Sequence, residues 1–291
     1  MWSSDSLQRF LFEGGAVRGE IVHLDATWCA VLERHDYPPV VRDLLGQFMA
    51  AGALLSATLK FSGSLIMQVQ AQGPVNLLVI ECTSQRTMRA TAQWSSVPMD
   101  SSLESLFDNG RLIMTLDPEK GKERYQGIVE LRGRNVAEVL QNYLTRSEQL
   151  DTRLWLTSNN SRAAGMLLQK LPDRETDDED IWQRVVHLGT TVTDKELLRL
   201  GARDIMHRLF HEEDIRVFDP VPIRFSCSCS RDRVVDVLKM LGQEEVDSIL
   251  QDEGVVDVNC EFCNQNYVFD KVDVEQLFSS EIIKNISPTI H

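Results

Sequence analysis

Four of the six cysteines in this 291-residue chain stand in two short motifs. The first is Cys227-Ser228-Cys229, and the second, Cys260-Glu261-Phe262-Cys263, follows after 30 residues. Each motif presents two thiolates to one ion, and two such motifs can form a closed four-sulfur site of the structural zinc type. The first motif has one spacer residue where zinc ribbons usually have two. We therefore predict one tetrahedral Zn²⁺ held by Cys227, Cys229, Cys260 and Cys263.

Other chemistry for these cysteines stays open at this point. A catalytic dithiol at Cys260 and Cys263 is expected to follow a glycine-rich helix entry, whereas the acidic, strand-like run 257–259 precedes Cys260. Ligands of iron–sulfur clusters usually have other spacings. The motifs could also be ordinary structural cysteines. Cys29 and Cys82 have no partner at metal-binding spacing, and we expect them to pack as small apolar residues.

The composition limits the classes of partner. Hydrophobic content of 43% and charged content of 25% are ordinary for a globular protein. The net charge is −14 and the pI is about 4.9. Residues 221–291 alone hold six Lys and Arg against thirteen Asp and Glu, a net charge of −7. Because nucleic-acid binding depends on basic side chains that neutralise phosphates, we expect no nucleic-acid partner.

The amino-acid sequence also predicts neither a secretory signal nor a membrane span. The start of the chain, residues 1–5, has no basic segment followed by an apolar one, so no signal peptide is predicted. The longest apolar run, 44–59, is interrupted by Gln47 and Ser56 and is shorter than the roughly 20 residues of a membrane span. Cysteines arranged for metal indicate a reducing compartment. We expect a cytoplasmic protein without a membrane partner.

Residues 1–172 are predicted to form a mixed α+β domain. A helix from Pro39 to about Leu59 has apolar residues around most of its circumference, so we expect it to be buried at the centre of the fold. Helices and strands alternate irregularly, which favours an antiparallel-rich sheet over regular βαβ units. The predicted strands are 16–22, 65–70, 75–80, 88–93, 112–116, 125–131, 154–157 and 166–171.

Further helices are predicted in this domain from helical spacing and capping signals. Residues 5–12 have Leu7, Phe10 and Leu11 at helical spacing. A capping box at Ser101 and Glu104 opens a helix to Phe107. The other two helices are 27–35 and 136–144. The domain contains no predicted active site, since its histidines, His23 and His35, are isolated.

Residues 173–220 are predicted to be an acidic, metastable helical linker. Six acids occur in the eight residues 173–180. One helix carries Ile181, Val185 and Leu188, and a second opens with a capping box at Thr193 and Glu196. Gly189 and Gly201 interrupt these helices, and short helices are marginal without packing. Either the strand faces beneath the linker or its own apolar face could bind unfolded proteins; the residues of that face are Leu197, Leu198, Ile205, Leu209 and Phe210.

Residues 221–291 are predicted to be a small zinc domain with helices over 231–241 and 244–250 and a hairpin over 255–267. Gly242 ends the first helix. Zinc contributes roughly 10–16 kcal/mol in comparable modules, whereas a whole domain is stable by only about 5–15 kcal/mol. Loss of the metal should therefore unfold this domain. Because oxidation of the thiolates removes the ligands, an oxidant would act as an unfolding signal for the domain and for the linker before it.

The cysteine spacing resembles that of the bacterial redox-regulated 33 kDa heat-shock chaperone family. The resemblance rests on Cys-x-Cys-Ser-Arg, about thirty residues and then Cys-x-x-Cys, and it extends over nearly the whole chain. The mass of 33.1 kDa is consistent with it. Four further stretches are similar to the family: residues 54–61, 125–127, 146–150 and 211–213.

The resemblance implies an ATP-independent holdase of the cytoplasm rather than an enzyme. In such a protein the reduced, zinc-bound monomer is inactive. Oxidation forms the disulfides Cys227–Cys229 and Cys260–Cys263, releases zinc and unfolds the linker. The active homodimer then binds unfolding client proteins. Asp151, where proline is expected, and Ala164-Gly165, where two glycines are usual, depart from the family pattern at local turns only.

Two functions of other classes remain as alternatives. A zinc module that binds nucleic acid is opposed by the acidic charge and would be detected by a salt-dependent gel shift. A thiol-disulfide oxidoreductase would turn over at Cys260 and Cys263, and insulin reduction would detect it. Thiolates bound to zinc should be slow in that assay.

Overall fold

The computed structural model describes residues 5–13, 15–59, 62–96, 102–118, 123–171, 178 and 180–284. The chain divides into two compact units, which we call the body (Met1–Ser226) and the cysteine unit (Cys227–His291). The predicted division into a domain of 1–172, a linker of 173–220 and a zinc domain of 221–291 stays a prediction. The linker helices described below pack within the body, and most of the acidic run 173–180 lies outside the described residues.

In its described residues the body contains two six-stranded sheets, both of them mainly antiparallel. Sheet A has the strand order β10-β1-β2-β9-β8, and β11 also pairs with β1. Its strands are β1 (Ser6–Phe12), β2 (Val17–Leu24), β8 (Thr152–Ser158), β9 (Ala163–Lys170), β10 (Ile215–Val217) and β11 (Val221–Pro222). Sheet B has the order β12-β5-β4-β3-β6-β7. Its strands are β3 (Gly63–Gln70), β4 (Val75–Thr83), β5 (Thr87–Trp94), β6 (Arg111–Pro118), β7 (Tyr125–Glu130) and β12 (Arg224–Phe225). β12 and β5 are parallel.

Seven helices of the body complete this architecture in the described part of the chain. They are α1 (Ala26–Leu32), α2 (Pro39–Thr58), α3 (Leu103–Phe107), α4 (Val136–Arg146), α5 (Ile181–Gly189), α6 (Asp194–Arg199) and α7 (Ala202–Phe210). The α+β class and eight predicted strands are confirmed. Ser102, rather than Ser101, caps α3 by accepting a hydrogen bond from the Ser105 amide; Ser101 lies outside the described residues.

Helix α2 lies between the two sheets, as predicted for a central buried helix. It packs against β2, β8 and β9 of sheet A and against β3, β4 and β5 of sheet B. Its residues Leu45, Phe48, Met49 and Leu54 are fully buried. By length and composition alone α2 could also span a membrane, but most of that window is buried inside the protein, as in a core helix.

The helix predicted over residues 5–12 is wrong, because Ser6–Phe12 form strand β1. Leu7 packs in the central core around α2, while Phe10 and Phe12 pack on the opposite face of sheet A. A strand buried on both faces has no row of polar residues, so its sequence does not show clear alternation. The helical spacing of Leu7, Phe10 and Leu11 was therefore misleading.

The linker helices α5, α6 and α7 cover the face of sheet A that is remote from α2. Leu200 and Gly201 separate α6 from α7, which replaces the second predicted helix with two shorter ones. The predicted capping box at Thr193 and Glu196 is present. We call the shared apolar cluster the linker core. It contains Phe10, Phe12, Val17, Ile21, Ala164, Met166 and Leu168 from the sheet, and Ile181, Val185, Leu197, Ile205, Met206, Leu209 and Phe210 from the helices.

The cysteine unit has three helices and one hairpin among its described residues. They are α8 (Arg231–Leu241), α9 (Gln243–Glu253), the antiparallel strands β13 (Val256–Asn259) and β14 (Asn266–Phe269), and α10 (Lys271–Lys284). The first two helices and the hairpin were predicted, and α10 was not. The backbone φ of 92° at Gly242, between α8 and α9, suits a residue without a side chain.

Replacing Leu45 by alanine tests the central position of α2. Leu45 is fully buried, and its truncation should leave a cavity that lowers the free energy of unfolding by about 2–5 kcal/mol. Urea unfolding followed by circular dichroism measures this loss. Gln47→Ala, at a partly exposed position of the same helix, should cost less than about 1 kcal/mol. Equal losses in the two variants would contradict the arrangement.

Candidate metal centre

The structure brings the four predicted cysteines together. The sulfur atoms of Cys227, Cys229, Cys260 and Cys263 all lie within 4.8 Å of one another. The Cys227 and Cys260 sulfurs are 3.7 Å apart, and those of Cys229 and Cys263 are 3.3 Å apart. Four sulfurs at about 2.3 Å from a tetrahedral ion would be separated by about 3.8 Å. The cluster therefore has the donor set and close to the size needed to bind one soft divalent cation.

The second motif is held in position by the turn that joins β13 to β14. The Cys260 amide donates to the carbonyl of Gln265 at 3.0 Å, which continues the hairpin beyond its last strand pair. The amides of Cys263 and Asn264 both donate to the carbonyl of Cys260, at 3.2 and 2.8 Å. Asn264 has φ of 57°, a left-handed conformation that asparagine tolerates. These bonds fold the chain back so that both sulfurs face one point.

The first motif is held by the start of α8. Ser230 caps this helix by accepting a hydrogen bond from the Arg233 amide at 3.2 Å. The Arg233 side chain returns to donate to the Ser228 hydroxyl oxygen at 2.6 Å. Ser228 stands between the two cysteines, so the cap and this bond together fix the short segment that carries Cys227 and Cys229.

The pKa values of the cysteine thiols explain why the cluster favours a bound cation. Burial raises the pKa of the Cys260 and Cys263 thiols, and contact with the Cys229 thiol raises that of Cys263 further. Without a cation, these groups would keep their protons at neutral pH. A bound divalent cation reverses this preference, because a coordinating thiol is deprotonated outright. The residues present therefore fit a bound metal.

Tyr267 is a partner of the cluster that sequence reasoning missed. Its hydroxyl donates to the Cys229 sulfur at 3.2 Å, and this contact is the main cause that raises the pKa of Tyr267 to about 12. Outer-sphere donors of this kind adjust the electron density on metal ligands. Tyr267 lies four residues beyond Cys263, but nothing in its type or position distinguishes it from an ordinary strand tyrosine.

A small apolar core supports the metal site. α10, which the sequence reading omitted, supplies Val274, Leu277 and Phe278 to it. Arg231 reinforces the support, since its guanidinium lies 4.1 Å from the Phe269 ring centroid and forms an ion pair with Asp273 at 2.8 Å. The other buried members of this core are Leu238, Val246, Val256 and Phe269.

The remaining residues considered from the sequence lie in the body. Cys82 is fully buried, and Cys29 is partly buried with its thiol 3.6 Å from the carbonyl of Ser161. Among the proposed client-binding residues, Leu197, Ile205, Leu209 and Phe210 are buried in the linker core, and Leu198 is partly buried against it. In this structure these side chains are covered.

These features together describe an α+β protein with a body of two sheets and a small four-cysteine unit able to hold a metal. The family model described as "Hsp33 protein" matches residues 5–270. The chain therefore belongs to the Hsp33 family, which confirms the resemblance inferred from the sequence.

Named relatives agree with this assignment. The chain is 52% identical to the 33 kDa chaperonin of Methylobacillus flagellatus, with 97% of each chain covered. It is 49% identical to that of Nitrosococcus oceani over the full length of both. A solved structure, the 33 kDa chaperonin (heat shock protein 33 homolog) of Thermotoga maritima, superimposes with a TM-score of 0.80 at 21% identity, covering 96% of this chain and 99% of that one. That likeness establishes a shared fold.

Metal analysis of single-cysteine variants tests the centre. The protein purified under reducing conditions should contain about one equivalent of metal per chain, as expected for one four-sulfur site. Cys260→Ser removes one ligand and should lose most of the metal in elemental analysis. The matched control is Cys29→Ser, which removes a thiol of the body and should leave the metal content unchanged. Full metal content in the Cys260 variant would contradict the assignment.

Proposed function

We propose that this protein is a redox-regulated, ATP-independent holdase that binds unfolding proteins and prevents their aggregation. The observation that carries the proposal is the cluster of four sulfurs within 4.8 Å in a member of the Hsp33 family. The bound metal would be Zn²⁺, which supplies a positive centre for four thiolates. In the reduced, zinc-bound state the linker would cover the client-binding surface, and the protein would be inactive and monomeric.

Oxidation would convert the four ligands into two disulfides, Cys227–Cys229 and Cys260–Cys263. Each disulfide forms when two thiolate ligands give up two electrons to one peroxide molecule, which takes two protons from the solvent and is reduced to two waters; the metal leaves as Zn²⁺. The distances within the cluster do not select this pairing, since the closest sulfurs described above join the two motifs. The resemblance to the family supports this pairing, and mass-spectrometric mapping of the oxidised protein tests it.

Loss of zinc would destabilise the cysteine unit. The unit has seven buried apolar residues in its described part, and a structural zinc supplies roughly 10–16 kcal/mol in comparable modules. Only a short stretch of chain joins the cysteine unit to the linker. β12 ends at Phe225, two residues before Cys227, and the segment from β10 to β12 pairs with β1 and β5 of the body. Unfolding after Cys227 would therefore begin directly beside these short strands.

Release of the linker would expose two apolar faces that now bury each other. The Phe210 ring of α7 lies 5.2 Å from that of Phe12 and 6.0 Å from that of Phe10, measured between ring centroids. α5, α6 and α7 contain nine, six and nine residues. Helices this short are marginal in water without tertiary packing. Clients would bind the linker face of Leu197, Leu198, Ile205, Leu209 and Phe210, or the sheet face beneath it.

The partners and location follow from the same proposal. Unfolded or partly folded proteins would be the clients, and the oxidised protein would form homodimers through its newly exposed apolar surface. Thiolates that remain reduced until an oxidative stress require a reducing compartment, which supports a cytoplasmic location. The protein would act without catalytic turnover, and neither nucleic acid nor membrane is a partner in this account.

Light scattering of a thermally unfolding client tests the proposal. Protein oxidised with peroxide at elevated temperature should suppress the scattering, and reduced, zinc-loaded protein should not. Treating the oxidised protein with dithiothreitol and zinc should abolish suppression of a client added later. Cys29→Ser should behave as the unmodified protein does. Equal suppression by the oxidised and reduced forms, or suppression by neither, would contradict a redox-gated holdase.

Tyr267→Phe tests the outer-sphere contact. The hydrogen bond from Tyr267 stabilises negative charge on the Cys229 sulfur and makes that sulfur a weaker nucleophile toward an oxidant. Its removal should speed zinc release under a fixed peroxide concentration by about tenfold, comparable to the smallest losses of metal affinity caused by outer-shell substitutions. A zinc-responsive dye follows the release. Tyr125→Phe makes the same chemical change in the body and should leave the rate unaltered; a Tyr267 variant that releases zinc no faster would contradict the assigned role.

A further inference from the structure

The C-terminal end of α6 is capped by two side chains of the body. A helix leaves its last carbonyl groups without partners inside the helix. The His23 Nε2 donates to the carbonyl oxygen of Leu197 at 3.0 Å, and the Arg162 Nη1 donates to that of Leu198. Both acceptors belong to the linker, whereas His23 belongs to β2 and Arg162 lies in the turn directly before β9. These two bonds hold α6 on the sheet.

Arg162 is fixed before it reaches the linker. Its guanidinium forms two parallel bonds to the carboxylate of Asp25, one of them at 2.6 Å. The Asp5 carboxylate in turn accepts hydrogen bonds from the backbone amides of Asp25, Ala26 and Thr27, at 2.8, 3.0 and 2.9 Å. A donor held in this way needs no reordering to cap α6, so it contributes to docking more than a mobile arginine would.

His23 occupies surroundings that favour its neutral form. It is 7% exposed, and no hydrogen bond from its Nδ1 to another described residue is present. It lines a cleft of about 360 Å³ together with Arg162, Arg199 and Arg203. The neutral residues Ser6, Gln8 and Pro220 complete the surroundings on the side of β1 and the chain after β10. The neighbouring acids are already engaged, Asp25 with Arg162 and Asp5 with the start of α1.

We propose that His23 and Arg162 form an acid-sensitive latch on the linker, in which neutral His23 holds α6 against sheet A and protonated His23 releases it. An imidazolium in the docked state would be buried beside the charge of Arg162, and the described structure shows no hydrogen bond for its second proton. After release, the same imidazolium is solvated by water. Acid therefore favours the released linker.

The direction of the pH dependence follows from linkage. Burial lowers the pKa of His23 in the docked state and the charge of Arg162 adds to this effect, whereas the bond to Leu197 and the charge of Asp25 oppose it without reversing it. A group whose pKa is lower when docked stabilises docking above its ordinary pKa and loses that contribution as the pH falls. Acid would expose the same apolar faces as oxidation but leave the metal in place. That consequence for client binding rests on the proposed function, whereas the latch itself does not.

Hydrogen exchange of the reduced, zinc-loaded full chain tests the latch. Protection factors of peptides from α5 to α7 are compared at pH 7.5 and 5.5 after correction for intrinsic exchange. They should fall by up to about tenfold, because each pH unit below the ordinary histidine pKa of about 6.5 contributes at most a factor of ten. His23→Gln, whose amide donates the same bond without titrating, should remove this fall. His207→Gln, at an exposed histidine of α7, is the matched control and should retain it.

Equal loss of protection in His23→Gln and the unmodified protein, or no loss in the unmodified protein, would overturn the latch. If His23→Gln does not fold, NMR titration of the unmodified protein decides. His23 should titrate below the ordinary histidine pKa of about 6.5, together with amide signals of α6. Titration of His23 at the ordinary histidine pKa, with the α6 signals unchanged, would contradict the proposal. No oxidant is used, so a negative result here leaves the redox switch untested, and failure of the scattering assay leaves the latch intact.

Discussion

Four thiolates can share one small volume only around a cation. The sulfurs of Cys227, Cys229, Cys260 and Cys263 lie within 4.8 Å of one another, where like charges repel strongly and partial burial opposes ionisation. A bound divalent metal would make this otherwise unfavourable cluster the link between the start of α8 and the hairpin. The cysteine unit has a core too small to be stable by a wide margin, so its folding would depend on chemistry that an oxidant can reverse.

The linker is the second element on which the proposed switch depends. Sheet A is covered on one face by α2 and on the other by three short helices of the linker. The α2 face contains a long and mostly buried helix, whereas the linker face depends on helices of nine, six and nine residues that share the linker core. The linker helices are therefore the weaker of the two layers, and their removal would expose Phe10 and Phe12. The capping of α6 by His23 and Arg162 adds a polar attachment beside the apolar one.

The sequence was most informative where the relevant pattern is local. Two cysteine motifs identify a metal centre because each pair is close in the chain, and α2 was recognisable because apolar residues surround it. β1 was misread because burial on both faces removes alternation. The Tyr267–Cys229 and His23–Leu197 contacts join residues 38 and 174 positions apart, so no local pattern reveals them. His23 was accordingly regarded as isolated until the fold placed the end of α6 beside it.

The central claim is that loss of metal from the cysteine unit releases the linker. The most direct measurement oxidises the reduced, zinc-loaded protein with peroxide and follows zinc release and hydrogen exchange in the same samples. The account predicts that peptides of α5, α6 and α7 lose protection as zinc is lost, while those of β3, β4 and β6 keep theirs. Complete zinc release with unchanged protection of the linker helices would contradict it.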